Sequence, residues 1–346
     1  GVRLPPGYPS RVVARAGQPP RPGGSFPWIA SPDGGATFAT ADGGWIYAAN
    51  SELPDGQGGA AALRFGAAGE VVDAYPILTG TSRNCGGGAT PWGTWLSAEE
   101  IPLGRVWECD PSGARPPQVR PALGVFMHEA VAVEPLERRL YLTEDTPSGR
   151  FYRFTPADAP ASGAWDLSAG VLEVARLHHP GDAAGATVSW LPVPEPGATR
   201  QAIAAQVPEG SAFRGGEGIA AKPGVVYFAT KLDGQVWAYD VARRSMAVLY
   251  DAGRVAEPVL TGLDNLAITP TGALLVAEDG GDLQLVIVEP GGTVYPIVQV
   301  VGHFDSELAG PAFDPAGARL YFSSQRGPAG RLSDGLTYEI RGPFAG

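Results

Sequence analysis

The sequence predicts an all-β fold, a six-bladed β-propeller built as one domain over residues 1–346. Three observations carry this expectation: a unit that recurs six times, hairpin alternation within the units, and a length that suits a ring in which each blade adds its own slice of core. Gly (49) and Pro (34) make up about a quarter of the chain without a collagen-like period, as many tight turns require. An apolar fraction of 44% argues against disorder.

The recurring unit is a turn with Gly or Pro, a short β-rich run, and a polar or acidic end. Its copies read DGGWIYAANSE (42–52), PWGTWLSAEE (91–100), LERRLYLTED (136–145), KPGVVYFATK (222–231), PTGALLVAED (270–279) and PAGARLYFSS (315–324). Their centres, near Tyr47, Trp95, Tyr141, Tyr227, Leu275 and Tyr321, recur at about 46–48 residues, with one gap of about 86. Most copies lead through a turn into a second apolar run, such as GRVWECDP, GRFYRFTP, GQVWAYD or DLQLVIVEP, whose alternation marks an antiparallel hairpin. A third run often follows, as in SMAVLYD (245–251), and a run such as GIAA or LAIT precedes, which completes four strands per unit.

The last unit lacks an outer strand, so SRVVARAG (10–17) is expected to supply it, closing the ring and covering an edge. The long gap, about residues 168–213, reads as a helical and loop insertion between blades three and four. Within it LPVPEPG is expected as an extended Pro-rich loop and TRQAIAAQV as a short helix, either capping the mouth or running over the surface. His178 and His179 in this insertion are expected at the surface.

A formal charge of -11 opposes a nucleic-acid partner. No apolar run approaches the roughly 18 residues of a spanning helix, and GVRLPPGYPS has no signal-peptide pattern, so a soluble monomer without membrane partners is expected. There is no Ser-His-Asp arrangement, Walker-type loop or Rossmann fingerprint. Cys85 and Cys109 fit a disulfide, a ligand plus a bystander, or two buried thiols.

Chemistry concentrates just before each innermost strand, in NCGGG (84–88), MHEA (127–130), GGEGIA (215–220), LDNLAI (263–268) and SELAG (306–310). A propeller brings these positions from five blades to one rim, where Cys85, His128, Glu129, Glu217, Asp264, Asn265 and Glu307 would converge. Acids at the ends of the repeats, Glu52, Glu99, Glu100, Glu144, Asp145, Glu278 and Asp279, would join them, although strand alternation lets only about half reach the axis. Any one such acid alone fits a solvated turn; the recurrence makes the case. So many carboxylates cannot all stay ionised without cations. Carboxylates with an Asn carbonyl suit Ca²⁺, and a thiolate at Cys85 suits a transition metal, which points to mixed metals. His128 fits a core imidazole as well as a ligand.

The run NCGGGATPWGTWLSAEE (84–100), followed by FMHEAVAVEP, LYLTEDTPSGRFYRF, RGGEGIA, VYFATKLDGQVWAYD, LDNLAITPTGALLVAEDG and ELAGPAFDPAGARLYFSSQ, resembles the PhoX-type alkaline phosphatases over about residues 40–327. The resemblance implies a six-bladed propeller holding two Fe³⁺ and two to three Ca²⁺ with a bridging oxo group. It implies hydrolysis of small-molecule phosphate monoesters and a periplasmic or secreted setting. Carried over by motif, Cys85 resembles the iron-ligating cysteine, and Glu99, Glu100, Glu129, Glu217, Asp264, Asn265, Glu278 and Glu307 resemble the other metal ligands. An Arg is expected two residues before Glu217, but Gly215 stands there with Arg214 beside it. Arg214 and Glu217 are the expected catalytic residues, and Arg214 and Lys231 the expected phosphate-binding cations. The rival expectations are a calcium-dependent lactonase or esterase, which needs no cysteine, and a non-catalytic metal-bound propeller.

Overall fold

A computed structural model describes residues 1–178 and 185–344. His179 lies outside the described residues. After β1 (Val2–Arg3) and β2 (Ser10–Arg15), strands β3 (Pro32–Ala39), β4 (Trp45–Ser51), β5 (Gly58–Phe65) and β6 (Val71–Thr81) pair in order as one antiparallel sheet. A second sheet holds β7 (Asn84–Ala89), β8 (Trp95–Glu99), β9 (Val106–Cys109) and β10 (Gln118–Val119). Next come β11 (His128–Glu134), β12 (Arg139–Glu144), β13 (Phe151–Asp158), β14 (Asp166–His178), β15 (Ala186–Pro192), the helical turn α1 (Ile203–Gln206), and β16 (Gly216–Lys222), β17 (Val225–Thr230), β18 (Gln235–Asp240) and β19 (Ser245–Asp251). These strands form one nine-stranded sheet in the order β11-β12-β13-β14-β15-β19-β18-β17-β16. The strands β20 (Leu263–Ile268), β21 (Leu274–Glu278), β22 (Gln284–Val288) and β23 (Val294–Val300) take β1 as their edge, while β24 (Leu308–Phe313), β25 (Arg319–Ser324) and β26 (Leu336–Arg341) take β2.

The fold is therefore all-β and propeller-like, and among the described residues there is almost no helix and the hydrogen-bonded sheets number five where six separate blades were expected. The difference arises in the expected insertion. Its first part, up to Pro192, is mainly strand among the described residues: β14 and β15 pair along six residues, and β15 reaches β19, which merges two units into one sheet. Among the described residues of the insertion four, Ile203–Gln206, are helical, and Leu191 and Pro192 of the expected loop end β15. Among the described residues no helix is long and apolar enough to cross a membrane.

The inner strands β3, β7, β11, β16, β20 and β24 each pack on the next, and β24 packs back on β3. Together they line a cavity of about 340 Å³. The strands next to them are covered on both faces, so β4 and β8 are buried along their whole length, the polar Asn50, Ser51, Ser97 and Glu99 included. The outer strand β19 is only partly covered, with Met246 and Tyr250 buried and Ala247 and Val248 exposed. The repeat centres Tyr47, Tyr141, Leu275 and Tyr321 are fully buried, and Trp95 nearly so. Burying each such side chain contributes about 1.5–3 kcal/mol.

A candidate metal centre where the inner strands meet

Each inner strand carries a β-bulge, and five of the six occur at equivalent places: between Pro32 and Gly35, Asn84 and Gly87, His128 and Val131, Gly216 and Ile219, and Leu263 and Leu266. The residues inside these bulges are Asp33–Gly34, Cys85–Gly86, Glu129–Ala130, Glu217–Gly218 and Asp264–Asn265. A bulge frees a residue from its ladder and re-aims its side chain. Here it turns one acid or thiol from each strand toward the others. In three of the five a glycine must follow, because neighbouring backbones nearly touch: a Cβ on Gly34 would lie 2.8 Å from Cys85 O, one on Gly86 2.6 Å from Glu129 O, and one on Gly218 2.4 Å from Leu266 N. The sixth strand bulges later, between Ala309 and Ala312, with Gly310 at φ 63°, and Glu307 precedes it.

Side chains from the second strands pin these bulges. Asn50 Nδ2 donates to the carbonyls of Cys85 (2.8 Å) and Gly86 (2.6 Å), Thr143 Oγ1 donates to Glu217 O (2.7 Å), and Tyr47 Oη donates to Gly310 O (2.9 Å).

The result is four groups whose ligand atoms lie within 4.8 Å of one another: Cys85–Glu100–Glu129, Glu129–Glu217–Asp264, Asp264–Asp279–Glu307, and Asp33–Glu52–Glu307. Successive groups share Glu129, Asp264 and Glu307, so the eight carboxylates form one connected chain with the thiol at an end. Against them, among the described residues, stand three cationic side chains: Arg83 on Glu52 (3.1 Å), Lys231 on Glu217 (3.0 Å) and Asp279 (3.2 Å), and Arg326 on Glu307 (2.9 Å).

The electrostatics follow from this shortage. Burial, then the neighbouring Asp264 and Glu52 charges, push Asp33 up to about 7, and burial with Glu52, Asp145 and Asp33 pushes Glu100 up to about 8. Burial and then flanking carboxylates raise Glu129, Glu217 and Glu307 well above the usual range. The Cys85 thiol rises for the same reasons; its Sγ lies 3.4 Å from Glu129 Oε1 and 3.7 Å from Asp33 Oδ1. Burial opposes the Lys231 ammonium, yet Asp264, Glu217 and Asp279 outweigh it and hold its pKa above that of a free lysine.

This donor set fits cations. Glu217 Oε1 is buried without a hydrogen-bond donor, since the Lys231 ammonium approaches it only as an oblique ion pair. Carboxylates held above their normal pKa by one another are the groups that multivalent ions stabilise.

The structure brings Cys85, Glu100, Glu129, Glu217, Asp264 and Glu307 together, with Lys231 among them. It does not bring Glu99 or Glu278. Glu99 accepts from Ser82 N (3.0 Å) and Trp107 Nε1 (3.1 Å), and Glu278 accepts from Thr261 N (2.9 Å) and Gln284 N (3.0 Å), each tying down a neighbouring loop. Glu144 does the same with Arg150 N and Tyr152 Oη. Of each adjacent pair, the first acid caps a loop and the second, Glu100 or Asp279, turns inward. Asn265 supports the site at one remove: Nδ2 donates to Asp264 Oδ1 (2.8 Å), and Oδ1 accepts from Gly310 N (2.7 Å). His128 faces away, its Nε2 on Gly124 O (3.1 Å) and its ring against Phe126, and burial pushes its pKa down to about 3. Arg214 is exposed and forms no ion pair among the described residues; Gly215 beside it has φ 64°. Both cysteines are free and buried.

Three participants escaped the sequence reading. Asp33 sits in PDGG (32–35), which parallels NCGGG one unit later but lies upstream of the first recognised repeat. Gln325, whose Nε2 bonds Asp33 Oδ2 and Glu52 Oε2, and Arg326 follow the last repeat, where no acid drew notice.

Over residues 34–106 and 102–229 the chain matches the family described as alkaline phosphatase PhoX. No curated protein matches it in sequence. Among solved structures it is similar to Pseudomonas fluorescens PhoX in complex with vanadate, a transition state analogue, with TM-score 0.83 and 16% identity over 100% of this chain and 96% of that one. It is less similar to a gluconolactonase from Xanthomonas campestris, with TM-score 0.52 and 14% identity over 90% of this chain and 86% of that one. Regucalcin, a calcium-binding protein from Agrobacterium tumefaciens, gives TM-score 0.51 and 13% identity over 96% of both chains. At such identities these likenesses concern the fold. The family match spans more than half of the sequence and includes Cys85, Glu129 and Glu217, and on that ground the chain belongs to the PhoX alkaline phosphatase family.

Proposed function

We propose that this protein is a metal-dependent phosphatase that hydrolyses small-molecule phosphate monoesters at a multinuclear centre in the mouth of a six-bladed propeller. The blade count is supported by six inner strands in a closed ring, with the nine-stranded sheet taken as two blades joined through β15. Pairing of β2 with β26 supports a single domain closed by its N-terminal strand, residues 10–17 contributing the edge.

The observation that carries the function is the connected chain of ligand groups, thiol at one end, in a member of this family. Cys85, Glu100, Glu129, Glu217, Asp264, Asp279, Glu307, Asp33 and Glu52 would hold the ions, and the thiol and carboxylate mixture supports iron, two Fe³⁺, beside two to three Ca²⁺. When bound, such ions neutralise phosphate oxygens and activate an oxygen nucleophile. The chain's own residues do the rest. Glu129, Asp264 and Glu307, shared between groups, fix the spacing of neighbouring sites. Glu217, pinned at its carbonyl by Thr143, presents Oε1, which is ion-paired with Lys231, to the centre. Lys231, flexible on its stem, can leave one carboxylate for a non-bridging phosphate oxygen, and Arg214 at the exposed rim meets the incoming anion. A periplasmic or secreted setting suits calcium use.

The lactonase alternative leaves Cys85 without a purpose, whereas its Sγ lies within the first ligand group. The test is hydrolysis of p-nitrophenyl phosphate by protein supplied with iron and Ca²⁺, with elemental analysis alongside. Activity that a chelator removes is the expected result; metal-loaded protein that binds phosphate without turnover would favour the non-catalytic reading.

A further inference from the structure

The protein's own cations are unevenly placed along the ligand chain. No Lys or Arg forms an ion pair with Glu100 or Glu129 of the Cys85 group among the described residues. The Asp264–Asp279–Glu307 group, by contrast, receives two: Lys231 from one side, 3.2 Å from Asp279 and 3.9 Å from Asp264, and Arg326 from the other, 2.9 Å from Glu307. A guanidinium has five N–H donors. Only one of those of Arg326 is engaged among the described residues, and its side chain remains 30% exposed.

The placement of Arg326 is specified by buried polar contacts. Its backbone N–H donates to Ser306 Oγ (2.9 Å), and that hydroxyl gives its single proton to Glu307 O (3.2 Å). Ser324 must then donate to Ser306 (2.9 Å), and His303 Nδ1 to Ser324 (2.7 Å), so a directed chain of imidazole and two hydroxyls holds the segment carrying both Arg326 and Glu307. A mere surface counter-ion needs no such support.

Resting on the phosphatase reading above, we propose that Arg326 is a phosphate-binding residue, which with Lys231 forms a two-sided clamp for the non-bridging oxygens of the monoester over the Asp264–Asp279–Glu307 group. The physical reason is charge. A phosphate dianion entering a mouth lined by carboxylates is repelled except where cations are fixed; Lys231 and Arg326 flank this group from opposite sides, and Arg326 also reaches the Asp33–Glu52–Glu307 group, whose other cation is Arg83. The guanidinium fork suits two oxygens at once, and Lys231 supplies a point charge opposite. Arg214 is held at its carbonyl by Leu232 N (3.3 Å), and its exposed side chain has no hydrogen bond or ion pair among the described residues. The substrate phosphate is thereby directed to this side of the mouth, and the thiol-bearing side is left to metal.

The test uses metal-loaded protein, with inorganic phosphate as probe in isothermal titration calorimetry, on the unmodified chain, Arg326→Gln and Arg326→Lys. Charge-assisted hydrogen bonds of this kind change affinity by about tenfold to a hundredfold. Arg326→Gln is expected to weaken phosphate binding by that factor, Arg326→Lys to recover part of it, and both to keep the metal content and melting temperature of the unmodified protein. Unchanged phosphate affinity in Arg326→Gln overturns the clamp, as does lost metal content that accounts for the weakening, which would leave Arg326 as a partner of Glu307 alone. If Arg326→Gln does not fold, Arg326→Lys decides, since a clamp predicts weaker phosphate binding at unaltered metal content. Unmodified, metal-loaded protein that neither binds phosphate nor hydrolyses p-nitrophenyl phosphate defeats the phosphatase reading and the clamp with it; phosphate binding insensitive to Arg326 defeats the clamp alone.

Discussion

Stripping the centre of cations should make the protein less stable as pH rises, the reverse of ordinary acid denaturation. Asp33 and Glu100 are pushed up to about 7 and about 8 by burial and by one another's neighbours, from about 3.9 and 4.3 in an unfolded chain. A raised carboxyl pKa means that the folded state binds the extra proton. Its stabilising effect is complete below the unfolded value and is lost as pH climbs through the folded one. Each such group tilts stability by about 1.4 kcal/mol per pH unit within that window. Asp33 alone then accounts for roughly 4 kcal/mol between about pH 4 and pH 7, a melting-temperature drop on the order of 5–10 °C. Glu129, Glu217 and Glu307, raised by burial and by flanking charges, add in the same direction. Thermal melts of chelated and metal-loaded protein at pH 5, 6, 7 and 8, at one ionic strength, measure the effect. Chelated protein should lose stability steadily across this range while loaded protein stays nearly flat. A melting temperature of the chelated form that is level or rising from pH 5 to 8 would refute the reasoning, because the carboxylates would then lack the mutual repulsion ascribed to them.

Other substitutions probe separate features. Cys85→Ser should remove bound transition metal and any visible absorption while retaining Ca²⁺, as elemental analysis would show, since the thiol is the soft donor of its group. Glu100→Gln and Glu99→Gln, adjacent in sequence, should differ: the first lowers metal content with little change in melting temperature, whereas the second costs about 1–3 kcal/mol in denaturant unfolding with metal content preserved, because one amide oxygen cannot accept from both Ser82 N and Trp107 Nε1. Gly218→Ala, which sets a Cβ 2.4 Å from Leu266 N, should cost about 1–3 kcal/mol and shift Glu217 enough to weaken Ca²⁺ uptake in calorimetric titration.

Much of this architecture is legible along the chain because a propeller repeats. Tyr47, Trp95, Tyr141, Leu275 and Tyr321 recur because each fills the same buried layer, and the bulge residues recur because each inner strand must turn one side chain inward. Asp33 was equally visible in PDGG, one repeat ahead of NCGGG, but it precedes the first unit from which the pattern was counted. The insertion misled for a different reason: LPVPEPG is a loop beyond Pro192, but the stretch before it, which carries no repeat signature, becomes strand through pairing of β15 with β14 and with the distant β19.

By itself the sequence determined an all-β chain of repeated hairpins with an excess of acids at the ends of its inner strands, since periodicity and charge are local properties that residue order records. Only the tertiary structure decided that Glu100 and Asp279 face the centre while Glu99 and Glu278 cap loops, and that Lys231 and Arg326 meet over the same three carboxylates. Those outcomes depend on the phase of each bulge and on how strands from different blades close against one another around the ring. Contacts between residues 231, 279, 307 and 326 arise from that closure, and no short-range pattern in the chain encodes them.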